Sequence, residues 1–247
     1  MIIVDMLKFL RKIRKKLLNE GSLKRYLLYA VGEIILVVVG ILIALQLNNW
    51  NQKRLNKKLE IQYYLNMKDQ MNKDLNTIYN EINYNQILLN QFSYAKSLLM
   101  QKDVSKMDTL GKIVLRMIDY ADFRRKSNVY LTLVNSGEIK YINNYKIIEG
   151  LQSLEENYSY INRIEDTHLK AILFQVVPEI KQVIKINPIK VENIKILFSY
   201  HFQNGIDLLI HLMEEKKEAY NKAIKEISLV TVFIDQELGL DNINKLK

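Results

Sequence analysis

The sequence predicts an all-α protein with a single N-terminal transmembrane helix. That helix continues into a long extracytoplasmic helix, and a helical bundle follows. Three observations carry this reading. Residues Leu27–Leu47 read LLYAVGEIILVVVGILIALQL, 21 residues with one ionisable side chain, Glu33. No Pro or Gly interrupts the chain between Gly40 and Gly111, while apolar residues recur every three or four positions. Only two prolines and eight glycines occur in 247 residues, too few for the many tight turns of an all-β fold.

The first element lies over residues 2–18. Ile2, Ile3, Met6, Leu7, Phe9, Leu10, Ile13, Leu17 and Leu18 share one sector of a helix. Lys8, Arg11, Lys12, Arg14, Lys15 and Lys16 occupy the rest. Such a helix suits the lipid headgroup layer, where each basic side chain gains ~1 kcal/mol from anionic lipid. A docking helix for a partner protein is the alternative.

The apolar run is next. At ~1.5 Å per residue it spans about 30 Å, the thickness of a bilayer's hydrocarbon core. A core helix of a globular protein rarely stays apolar on every face. Tyr26 and Tyr29 at one end and Trp50 at the other suit the two membrane interfaces. A cleaved signal peptide fits poorly, because the run is too long and ends in Ile41-Leu42-Ile43-Ala44-Leu45-Gln46, where only Ala44 is small. The expected organisation is a basic cytoplasmic segment (1–25), a transmembrane helix (26–50) and a periplasmic helical domain (51–247).

Charge sets the orientation. Residues 1–25 hold eight basic and two acidic side chains, so most of the net charge of +9 lies there. Lys53, Arg54, Lys57 and Lys58 follow the span but are outnumbered. The positive-inside rule places the N-terminus in the cytoplasm. A basic block abutting an apolar run belongs to a membrane anchor, and the remaining chain is nearly balanced, so nucleic acid is not an expected partner. The absence of cysteine excludes disulfides, thiolate metal sites and cysteine nucleophiles.

Within the span, Glu33, Gly40 and Ala44 fall within ~40° of one another around a helix. Gly40-xxx-Ala44 is a small-xxx-small spacing that lets two helices approach closely. An intramembrane carboxylate costs a few kcal/mol unless protonated or paired. The shared stripe points to helix association, with a second copy or with another membrane protein. The simpler alternative has Glu33 leaning to the headgroups and bonded to Tyr29 one turn earlier. Proton or ion conduction is a third.

Beyond the membrane, Leu55, Leu59, Tyr63, Met67, Met71, Leu75, Ile78, Ile82, Leu89 and Phe92 form a helical stripe, predicting one helix to about Gln101. A shorter helix over about 105–120 follows, capped by Asp103 or Ser105. Phe123-Arg124-Arg125-Lys126 reads as a charged turn; binding of an acidic group is the alternative. Ser127 can cap a helix that ends at Ser136 with Gly137 in the C′ position. Asn143 or Asn144 starts a helix to about Lys185, disturbed at Pro178. Asn187-Pro188 breaks the chain, and one or two helices cover about 190–238, with Gly205 a candidate kink.

Tyr26–Asn51, YLLYAVGEIILVVVGILIALQLNNWN, resembles a family of uncharacterised single-pass membrane proteins common in Bacteroidota. The family opens with a basic helix, matched by Lys8–Lys16. A Tyr-Ala-x-Gly-Glu-Ile span follows, ending in Leu-Gln-x-Asn-Asn-Trp-Asn; here it begins at Tyr29-Ala30-Val31-Gly32-Glu33-Ile34. Leu131–Ile139 with Tyr141-Ile142 and Asn143-Asn144 is similar to its midpoint signature. Gln52 departs from the family's frequent Glu. The resemblance implies an inner-membrane protein with an extracytoplasmic helical domain, and carries no activity with it.

Chemistry is sparse. The histidines are His168, His201 and His211. Glu165-Asp166-Thr167-His168 has the Glu-x-x-His spacing of di-iron bundles, but its only counterpart is reversed, His211-Leu212-Met213-Glu214. An exposed Glu–His pair is the simpler account. Phosphate loops, dinucleotide turns, nucleophile elbows and zinc-protease motifs are missing from the sequence. No catalytic, cofactor or metal residue is therefore assigned. The expected function is a membrane-anchored interaction or scaffold protein, self-associating through its span. The alternatives are an accessory or sensing subunit of a membrane complex and, more remotely, a carboxylate metal enzyme at Glu165 and His168.

Overall fold

The computed structural model describes residues 11, 12, 15, 23–125 and 128–240. Arg11, Lys12 and Lys15 are helical and exposed. Lys8, Arg14 and Lys16, the rest of the expected 2–18 helix, the side chain of Tyr26, and Lys126 and Ser127 lie outside the described residues. The chain divides into two compact units, Met1–Leu59 and Glu60–Lys247.

Helix α1 (Leu23–Gln101) ends where the loss of periodicity puts its end. There Lys102 takes the left-handed conformation, φ 53°. The N–H groups of Lys102 and Asp103 return to Leu99 O and Leu98 O, satisfying carbonyls the helix leaves open. Asp103 accepts from Ser105 N–H and so caps a 3-10 turn, Val104–Lys106, which leads into α2 (Met107–Arg116). This helix is shorter than expected. Residues 119–125 instead run without regular structure over the bundle.

Helix α3 (Val129–Ser136) is capped by Asn128, whose side chain accepts from Leu131 N–H, and ends at Gly137 with φ 71°. A positive φ costs glycine nothing, which explains the residue at that position. A 3-10 turn, Glu138–Tyr141, leads to α4 (Tyr145–Ala171), capped by Asn144. The disturbance expected at Pro178 falls one turn earlier, in a π-helical turn at Ile172–Val176, before α5 (Val177–Val183). Proline lacks an N–H and crowds the carbonyl four residues back, which here is Phe174 inside that turn.

A two-stranded antiparallel hairpin then interrupts the helices. Strands β1 (Ile184–Lys185) and β2 (Lys190–Val191) pair Ile184 with Val191 and Lys185 with Lys190, and Asn187-Pro188 is cis. Helix α6 (Ile194–Leu197) and α7 (Tyr200–Glu237) follow, capped by Asn193 and Ser199. Gly205 leaves α7 unbroken. Among the described residues the regular structure is helical apart from the hairpin.

The second unit has two apolar cores. One gathers α1 from Leu88 to Leu99, α2, the π turn, α5 and the first half of α7. The other gathers α1 from Tyr64 to Ile78, Phe123, Leu133, α4 and the second half of α7. Helices α4 and α7 run antiparallel, since Ser153 meets Glu226 while Asn157 meets Ala219. They approach closely at Gly150, where an added Cβ would lie 2.6 Å from Val230 Cγ2.

Candidate functional site

Two regions could carry function: the apolar part of α1 in the first unit, and a buried polar cluster in the second. In the first, every Leu, Ile and Val from Leu27 to Leu47 is between 47% and 67% exposed, so among the described residues of this unit none covers them. An uncovered apolar surface of this length needs lipid or another helix. Among the described residues, α1 is the helix long and apolar enough to cross a membrane. Gly40 has nothing within 4 Å of where a Cβ would stand, and Ala44 is exposed. Glu33 is half-buried. The Tyr29–Glu33 bond of the simpler alternative is not formed, because Tyr29 Oη lacks a hydrogen-bond partner among the described residues. Trp50 is exposed, with the Arg54 guanidinium 5.5 Å from its ring.

The second region overturns one expectation outright. Glu165 and His168 are not an exposed pair on a solvated face. They are 4% and 2% exposed. Both lie on the apolar stripe of α4, in register with Tyr158, Ile161 and Ile172, so the helix that buries the stripe buries them too. Glu165 Oε1 accepts from Tyr220 Oη on α7 and from Phe123 N–H at 2.7 Å. Tyr120 Oη donates to the Glu165 carbonyl at 3.1 Å, and its ring meets His168 edge-on with centroids 5.7 Å apart.

Lys216 of α7, 2% exposed, lies in the same cluster. Its ammonium donates to Ala121 O at 3.0 Å, with the Tyr120 ring 5.7 Å away. On either side of it, Asn85 of α1 donates to Met213 O at 2.8 Å and Asn157 of α4 to Ala219 O at 3.2 Å. Helix α7 is therefore gripped at three successive turns.

Burial dominates the protonation of these groups. It raises the Glu165 carboxyl against the opposing pull of Tyr220, the Phe123 N–H and Lys216. The same effect raises Glu81, whose Oε2 has no hydrogen-bond partner among the described residues. Lys216 is lowered by its burial. His168 is lowered to about 3 by burial and then by the Lys216 charge, with its Nδ1 unpartnered among the described residues. At neutral pH the imidazole is uncharged.

Above the cluster an open cleft of about 560 Å³ is lined by Tyr120, Asp122, Arg124, Asn162, Glu165 and Asp166, among others. Its two arginines are already neutralised. Arg124 holds Asp122 through Nε, at 2.9 and 3.1 Å. Arg125 holds Glu155 at 2.8 Å, stacks on Tyr158 at 4.2 Å and faces Asp74. Arg125 thus docks residues 119–125 onto α1 and α4, and Gln70 of α1 accepts from Val129 N–H at 2.7 Å at the start of α3. Asn143 and Asn144 of the midpoint pattern serve similarly. They bond Glu60 and Glu237 and fix the start of α4.

Metal ligation finds no geometry here. Among the described residues no group of three or more His, Cys, Asp or Glu is placed to hold an ion. His211 and Glu214 are exposed on α7, on the side away from buried Lys216 and Met213. Glu165, Lys216, Tyr120 and Tyr220 are engaged with one another and with the backbone, while Glu81 Oε2 and His168 Nδ1 have no hydrogen-bond partner among the described residues.

No curated protein and no solved structure matches the chain. Residues 33–215 match DUF6090, a family of unknown function, and this stretch holds Glu33, the charged turn and the Glu165–His168 pair. The chain belongs to that family.

Proposed function

We propose that the protein is a membrane-anchored helical interaction protein that self-associates through the stripe of Glu33, Gly40 and Ala44. The span covers residues 26–50, the N-terminus is cytoplasmic, and residues 51–247 form a periplasmic domain. The observation carrying this reading is the exposed apolar surface of α1 from Leu27 to Leu47, whose Leu, Ile and Val side chains the described residues leave uncovered. The open space at Gly40 supports close approach of a second helix. The basic residues before the span, Arg11, Lys12 and Lys15 among them, support contact with anionic lipid and set the orientation.

The test is the mass of the full-length protein in mild detergent, beside Glu33→Gln and Gly40→Leu. A defined oligomer that either substitution disrupts supports self-association. A monomer indifferent to both overturns it, and a partner that co-purifies stoichiometrically would make the protein an accessory subunit instead.

A further inference from the structure

Hairpin tips are normally polar, since turn residues face water and their backbone groups need solvent. The β1–β2 hairpin departs from this. Its tip is Ile186-Asn187-Pro188-Ile189, with Ile186 55% and Ile189 39% exposed. A Cβ added at Gly111 of α2 would lie 3.5 Å from Ile189 Cγ2, so that methyl lies beside α2 while the residue stays 39% exposed. Lys185 and Lys190 face each other across the ladder immediately below the tip, both exposed. Ile194 and Lys195, also exposed, repeat the pairing at the start of α6. The acidic group within this surface is Glu192, 3.4 Å from Lys190 and itself half in solvent, which leaves a positive balance.

We propose that the β1–β2 hairpin docks on an anionic bilayer surface. Ile186 and Ile189 enter the headgroup–acyl boundary, while Lys185, Lys190 and Lys195 engage lipid phosphates. The apolar tip selects among phosphate-bearing partners. A free phosphate or a soluble polyanion would satisfy the lysines and leave both isoleucines in water, whereas a lipid surface satisfies both. Depth is limited by the fold. Two-residue strands leave the turn's carbonyls without partners in the ladder, so the tip stops at the hydrated interface and does not enter the hydrocarbon core. The proposal does not depend on self-association through α1.

The experiment uses the full-length protein in discs of neutral phosphatidylcholine, mixed with heavy vesicles of phosphatidylcholine alone or with 30% phosphatidylglycerol (about 0.3 anionic fraction). Vesicle-bound protein is measured by sedimentation, with empty discs as the blank. Binding to the anionic vesicles is expected to exceed binding to the neutral ones by about tenfold or more. Ile186→Asn, at a residue 55% exposed and outside both apolar cores, should weaken it about fivefold. Lys185→Gln and Lys190→Gln should each cost about fivefold, in a salt-dependent way. Binding no greater than the blank overturns the proposal. So does binding that the hairpin substitutions leave unchanged, which would assign it to the basic N-terminal segment.

Discussion

Replacing His168 with Phe should remove a specific acid sensitivity from the second unit. His168 is 2% exposed and lowered from 6.5 to about 3, so its folded form resists protonation that the unfolded form accepts. A depressed histidine contributes stability that is fully present above the unfolded value of 6.5 and is lost as pH falls from there towards 3. Between pH 8 and pH 5 the loss from this one group comes to about 2 kcal/mol, with a limiting slope of about 1.4 kcal/mol per pH unit. Glu81, Glu165, Asp74 and Glu226 are raised by burial and act in the opposite direction below neutrality. They are common to both proteins and cancel in the difference. Phenylalanine keeps the edge-on contact with Tyr120 and leaves no unpartnered nitrogen. The assay is urea unfolding in mild detergent at pH 8, 7, 6 and 5, followed by near-ultraviolet circular dichroism of the bundle tyrosines. The gap between variant and wild type should widen by about 2 kcal/mol from pH 8 to pH 5. Parallel stability curves would refute the assignment of a neutral, buried His168.

Two further perturbations test the packing and the turns. Gly150→Ala places a Cβ 2.6 Å from the stiff Val230 side chain, so urea midpoints should fall by the equivalent of about 1–2 kcal/mol, and Val230→Ala should restore most of the loss. Gly137→Ala meets nothing within 4 Å yet sits at φ 71°, so its cost of about 1 kcal/mol is a backbone effect that Gly137→Asn should largely avoid.

Much of the helical frame was readable from the residues because local chemistry sets it. The end of α1 near Gln101, a cap at Asp103 or Ser105, the stop at Gly137 and a start at Asn143 or Asn144 each follow from local side chains, and the structure uses Asp103 and Asn144. The hairpin was missed because two-residue strands show no alternation, and Asn187-Pro188 reads equally as a break between helices. The buried cluster was missed for another reason. Glu81, Glu165, Lys216 and Tyr220 are scattered over three helices, and their meeting is a property of the packing. A signal was present nonetheless: Glu165, His168 and Lys216 all occupy apolar positions of the α4 and α7 stripes, where a charged or polar residue must find a buried partner.

The three-turn grip on α7 bears on how the bundle avoids assembling wrongly. An apolar stripe alone tolerates sliding, because leucine against isoleucine is nearly as good one turn along. A slide of α7 by one turn would offer Asn85 and Asn157 the equivalent backbone carbonyls of the neighbouring turn, but it would carry Lys216 away from Ala121 O, which lies outside any helix. The ammonium would then be left dry and unsatisfied, at several kcal/mol for the charge. Competing alignments are thereby raised in energy more than the native one is lowered. The lysine acts as an error check on assembly, admitting α7 in a single alignment.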